Sequence, residues 1–203
     1  MTLAMIAYPG GSHFDTFTPG YDFLRNFWCD LLREPAIDGR PNPTAPRYAQ
    51  VAMWALGVGL VPFFLALADL SGGSARTRKI IRGLGLAGIA GMLGVALLPS
   101  SDYPTLHGLL VTTAGPLGIG AALAGFIAAV RARTLDRLSL HLGLATLSLA
   151  SLNVLQYARE FYFDVPPSPL LPTVQKFVTL TLLAWMLALG RSWMNLYAQK
   201  RDA

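Results

Sequence analysis

Charge is what this sequence has least of. Asp, Glu, Lys and Arg together make up 13% of its 203 residues, against about 25% in an ordinary soluble domain. The single cysteine, Cys29, excludes an internal disulfide and a multi-cysteine metal site. It reads as a small buried side chain, with a reactive thiol as the alternative. Histidine is also sparse, at His13, His107 and His141. No glycine-rich phosphate loop, HExxH, GxSxG or haem-attachment pattern occurs, so the familiar signatures of soluble enzymes are missing. The sequence does not decide whether the protein is an enzyme.

Apolar residues are what it has instead, 53% of the chain, with a mean hydropathy of +0.46. Five apolar runs stand at about 50–70, 79–99, 106–130, 138–158 and 173–193. Near 20 helical residues cross a hydrocarbon core of roughly 30 Å. Inside lipid the backbone must satisfy its own hydrogen bonds, so such runs are helices. The expected fold is all-α: a polytopic transmembrane helix bundle forming one membrane domain over 1–203, with membrane lipids as its immediate partners.

A net charge of +5 would suit nucleic acid, but the placement of the charges assigns them to the membrane. Arg76, Arg78, Lys79 and Arg82 follow the first run, Arg131, Arg133 and Arg137 the third, and Arg191, Lys200 and Arg201 the last. If every run crosses, these groups share one side, and the positive-inside rule makes it cytoplasmic. The expectation is a cell-membrane protein with a cytoplasmic C-terminus and no nucleic-acid partner. Residues 9–49, rich in Pro, Gly and aromatics, then lie outside. Residues 1–8 are apolar but too short to span. They read either as an interfacial piece or as the end of a truncated first helix.

Polar groups within or beside spans are costly and tend to mark function. In the outer segment, a helix over Tyr21–Arg33 would place Asn26 and Asp30 on one face. They would act either as part of a lid over a site or as solvated charges on an interfacial cap, with Phe23, Phe27 and Trp28 in the interface. Between the second and third runs, Asp102 either orients the imidazole of His107 or caps the following helix. The fourth run carries Ser148, Ser151, Asn153 and Gln156, as helix-to-helix hydrogen bonds or as a pocket wall. Lys176 is expected to snorkel to the interface. His13, Asp30 and His107 form a weak candidate set for zinc; no cofactor is otherwise expected. Gly85, Gly88, Gly91 and Gly94 offer a smooth face for helix packing, and homo-oligomers through such faces are a further expectation.

The pattern YPGG…Y.F..NF.CDL, over Tyr8–Gly11 and Tyr21–Leu31, followed by LLP.SD…LH over Leu97–His107, resembles the bacterial integral membrane proteins grouped as domain-of-unknown-function 998. That group is similar in outline to the DRAM/Frag-type six-helix proteins. The resemblance implies about six spans, which favours a first helix ahead of Met1, and it implies no settled activity. Where the family has a serine–aspartate pair this chain has Cys29–Asp30, so no serine-based role is carried over. The functional expectation is an outward-facing polar pocket for a lipid or other amphiphile, built from Asn26, Asp30, Asp102, His107, Asn153 and Gln156. The alternatives are a membrane-embedded lipid hydrolase and a small-molecule transporter.

Overall fold

The computed structural model describes residues 1–201, except for the side chains of Leu196, Gln199 and Lys200, so Lys200 lies outside the described side chains. Six α-helices follow one another: α1 (Thr2–Ala7), α2 (Ala45–Leu70), α3 (Ala75–Leu97), α4 (Pro104–Arg131), α5 (Arg137–Phe163) and α6 (Leu171–Arg201). Among the described residues there is no strand, only an isolated antiparallel bridge between Gly10 and Pro19. Helices α2 to α6 are each long and apolar enough to cross a membrane.

The helix ends follow from local chemistry. Ser74 accepts the Thr77 N–H at 3.2 Å at the start of α3, and Asp136 accepts the Ser139 N–H at 2.7 Å at the start of α5. Such caps satisfy N–H groups that the first turn leaves free. Pro104 opens α4, where its missing N–H costs nothing. At its other end α5 stops on Asp164 in the left-handed conformation.

One core joins all five long helices through Phe63, Phe64 and Leu67 of α2, Ile81 of α3, Ala121 of α4, Leu147 of α5 and Trp185 of α6. The rest of the helix surfaces is apolar and uncovered. Val51 and Val58 on α2 are 70% and 69% exposed, and Leu187 on α6 is 73% exposed. Apolar surface on this scale belongs in lipid. The protein is a multi-pass membrane protein.

The α3 glycines are taken up within the chain. A Cβ on Gly88 would lie 2.9 Å from the backbone nitrogen of Gly118, one on Gly91 2.5 Å from the Ala114 Cβ, and one on Gly85 2.4 Å from the Phe64 ring. Three of these positions seat α3 on its two neighbours, since a missing side chain lets backbones approach. Residues 8–44 pack over the end of the bundle formed by the starts of α2, α4 and α6 and the ends of α3 and α5. This is the capped end of the bundle. The arginine-rich loops lie at the other, basic end, together with exposed His141 and the Asp69–Arg82 ion pair at 2.7 Å. Helix α1 belongs to the cap: Ala4 and Tyr8 are buried with Leu31 and Leu32, and with Ala45 and Ala49 of α2.

Candidate functional site

The cap is organised by side chains that bond to backbone. No helix runs over Tyr21–Arg33; the segment is a turn followed by a short 3-10 stretch, Trp28–Leu32. The physical reason is competition for the N–H groups. Asp22 takes the Leu24 N–H at 2.8 Å, Asn26 takes the Asp22 N–H at 2.9 Å, and Asp30 takes the Phe27 N–H at 2.8 Å. These bonds offer the backbone an alternative to the helical ladder. Asn26 and Asp30 still meet, with the Asn26 amide donating to Asp30 at 3.0 Å, but as buried groups, 0% and 1% exposed. They are not solvated charges. The same Asn26 amide donates to the Gly11 carbonyl at 2.7 Å. Gly11 sits at φ +82°, and a Cβ there would lie 2.5 Å from the Asp38 nitrogen, so only glycine fits the turn.

Burial pushes the hydroxyl of Tyr21 well above the usual tyrosine range, and the nearby Asp30 charge adds to the effect. Tyr21 therefore stays a donor, bonded to the Asn26 carbonyl at 3.2 Å. Burial likewise pushes Tyr8 up to about 12; its hydroxyl accepts the Ile37 N–H at 3.2 Å.

Lys176 does not snorkel. It is 1% exposed, and its ammonium donates to the Asn26 and Pro172 carbonyls. The rings of Tyr21, Phe23 and Trp28 surround it, with centroids at 5.5, 5.4 and 5.2 Å. Aromatic rings stabilise a desolvated cation, and the two carbonyls replace its water. The Trp28 N–H donates to the Gln175 side chain at 2.9 Å and its indole N–H to Thr179 at 3.2 Å. Phe27 is buried instead of lying in the interface, while Phe23 keeps 46% exposure. Lys176 and Gln175 together clamp the cap to the start of α6.

Beneath the cap lies a cavity of about 480 Å³. His13, Asp30 and Cys29 face it from the cap, His107 from α4, Asn153, Tyr157 and Glu160 from α5, and Gln175 from α6. Asn153, Tyr157 and Glu160 are spaced by four and three, which places them on one helix face; that spacing is the signal by which Tyr157 and Glu160 join the site. Gln156 does not line the cavity, and its carbonyl oxygen is buried without a partner among the described residues. Phe27, Val111, Phe161, Pro166 and Pro167 supply apolar wall. A depression of about 650 Å³ also runs along Trp193–Arg201, where the lining among the described residues comes from α6.

The two site histidines are held differently. His107 is 1% exposed, and its Nδ1 lies 2.6 Å from the Leu98 carbonyl. A carbonyl partner requires Nδ1–H, so Nε2 carries the lone pair. Asp102 neither orients His107 nor caps α4. It is exposed, it is not part of the cavity wall, and the α4 start has no side-chain cap. The tight turn over 99–103, with Asp102 and Tyr103 N–H groups both bonded to the Pro99 carbonyl, carries Asp102 away from the imidazole. His13 sits at the rim with its Nε2 3.1 Å from Asp30 and its ring edge-on to Phe27. Among the described residues no three His, Cys, Asp or Glu side chains gather as a metal-holding group; His13 and Asp30 touch, and His107 does not complete a set with them. Burial, with Asp30 adding, pushes the Cys29 thiol up to about 12, which makes it a neutral wall group at ordinary pH.

The chemistry gathered here is imidazole, carboxylate and amide groups among aromatic and proline side chains, at the boundary between bundle and cap. No curated protein and no solved structure matches the chain. A family model described as "Protein of unknown function (DUF998)" matches residues 2–192, nearly the whole chain, and the protein belongs to that family.

Proposed function

We propose that the cavity under the cap is a binding site for an amphiphile, with the headgroup on its polar groups and the hydrocarbon leaving past Val111 and Phe161 toward the bilayer. The observation that carries this reading is the composition of one cavity, in which polar groups converge among apolar side chains, the general make-up of a small-molecule site. Its place at the end of the bundle supports a site near headgroup depth. The concentration of arginine at the opposite end supports a capped end facing outward and a cytoplasmic C-terminus.

The test is lipid extraction from protein purified in a mild neutral detergent, read by mass spectrometry, beside an Asn153→Trp variant that fills the cavity. A lipid class retained by the parent and lost from the variant supports the site. Equal lipid profiles from both proteins overturn it.

Hydrolysis of a lipid ester or amide is the second reading, favoured by His13 paired with Asp30 across the cavity from a histidine of fixed tautomer. In such a site an imidazole takes a proton from water as it attacks the carbonyl. Turnover of a lipid ester by the parent, abolished by His107→Asn, would place this reading first.

A further inference from the structure

We propose that the headgroup bound in the cavity is a primary ammonium; the inference rests on the amphiphile-binding reading and specifies its ligand. Two acceptor atoms at the site have no protein partner among the described residues. His107 Nε2 is the lone-pair nitrogen of a side chain that is 1% exposed, and no protein donor reaches it among the described residues. Its other nitrogen is committed to Leu98, so the ring cannot turn to donate without breaking that bond. Glu160 is half-buried on the next helix. One of its carboxylate oxygens accepts the Ser168 N–H at 3.1 Å, and the second has no protein partner among the described residues.

Both orphans are acceptors. Both open into the cavity, where water or a ligand supplies the donor, and the ligand that suits them is a group that donates and does not accept. An ammonium has three donors and no acceptor. Its charge is matched by the carboxylates of Glu160 and Asp30, and the rings of Phe27, Tyr157 and Phe161 line the same space, where aromatic neighbours favour a cation.

A phosphate or sulfate headgroup meets the opposite situation. No Lys or Arg lines the cavity. The Lys176 ammonium is sealed in its aromatic cage behind the cap. Arg33 is linked to the wall only through Ser100, whose hydroxyl it meets at 3.4 Å. The remaining donors on the wall, such as the Gln175 amide and the Tyr157 hydroxyl, are neutral. An anion would therefore sit against the Glu160 and Asp164 carboxylates with no Lys or Arg to compensate them, and the His13 imidazole is already paired with Asp30.

The experiment uses the full chain in dodecyl maltoside micelles and four probes with the same chain: octylammonium, octyltrimethylammonium, octyl glucoside and octyl sulfate. Binding is read by calorimetry and by thermal unfolding, with the Asn153→Trp variant as the control for partition into micelles. The expected order places octylammonium at least tenfold tighter than the glucoside and the sulfate. It also binds tighter than the trimethyl form, which cannot donate to Nε2. Glu160→Gln should remove most of the preference for charge. His107→Asn, which keeps a donor for Leu98 and loses the Nε2 acceptor, should remove the preference for the primary over the trimethyl form. Equal binding of all four probes overturns the headgroup assignment and leaves the amphiphile site standing. So does a preference that survives both substitutions in folded protein. Failure of every probe to bind beyond the Asn153→Trp control overturns the amphiphile reading itself.

Discussion

The cap depends on one carboxylate, and removing it gives a measurable prediction. Asp30 is 1% exposed and accepts from the Phe27 N–H at 2.8 Å, the Asn26 amide at 3.0 Å and His13 at 3.1 Å. In Asp30→Ala the Phe27 N–H loses its acceptor, while Asn26 keeps the Gly11 carbonyl. Hydrogen bonds to a charged partner contribute about 1.5–3 kcal/mol each. Two buried donors therefore set a gross loss of roughly 3–6 kcal/mol. Relief of the buried carboxylate's desolvation offsets part of this, and so does water entering from the adjoining cavity. A net local cost of about 3 kcal/mol follows, on the order of a 100-fold increase in the open population of the cap. Amide hydrogen exchange read by mass spectrometry on peptides spanning residues 22–33 measures it directly. Peptides from the α2–α4 core should be unchanged. His13→Ala is the internal comparison: that side chain is 42% exposed, so water can take its place at Asp30 and the loss is smaller than that of the buried Phe27 and Asn26 bonds. Exchange in Asp30→Ala within threefold of the parent, or equal to His13→Ala, would refute the argument that Asp30 organises the cap.

Gly88→Val should lower the melting temperature in detergent by overpacking α3 against the α4 backbone, at a cost of about 1–3 kcal/mol, because the added Cβ meets Gly118 backbone at 2.9 Å. Gly83→Ala, with nothing within 4 Å, should raise it slightly, by up to about 1 kcal/mol; equal effects would contradict the packing described. In Gly108→Ala the new Cβ meets the Phe161 ring edge at 2.1 Å, so the ring moves and the cavity it lines changes shape. Octylammonium affinity should fall about tenfold more than in an Ala substitution elsewhere on α4, and an unchanged affinity would separate Phe161 from the site. With the Cys29 thiol pushed up to about 12, the thiolate is a trace species that grows about tenfold per pH unit. Iodoacetamide labelling should climb without levelling from pH 7 to 10, and a plateau near pH 9 would mean an ordinary thiol.

The sequence alone determined the class of the protein, because lipid imposes a constraint that is local in the chain. Each span must satisfy its own backbone and present about 20 apolar residues, so α2 to α6 could be read one run at a time. The family was legible for a similar reason, since Tyr8–Gly11 and Leu97–His107 are short contiguous patterns. The site was only partly legible. Asn26, Asp30, His107 and Asn153 stood out as polar residues in or near apolar surroundings, and the cavity wall or its supports include all four. Asp102 looked like a partner for His107 because it is near in sequence, yet a turn over 99–103 takes it away and a backbone carbonyl replaces it. Lys176 looked like a side chain bound for the interface, since snorkelling needs only its own length. Its burial depends on three rings and a carbonyl from a segment nearly 150 positions earlier. What one helix must do for itself is written in its own residues; which buried acceptors lack a donor is a property of how distant segments meet, and only the tertiary structure decides it.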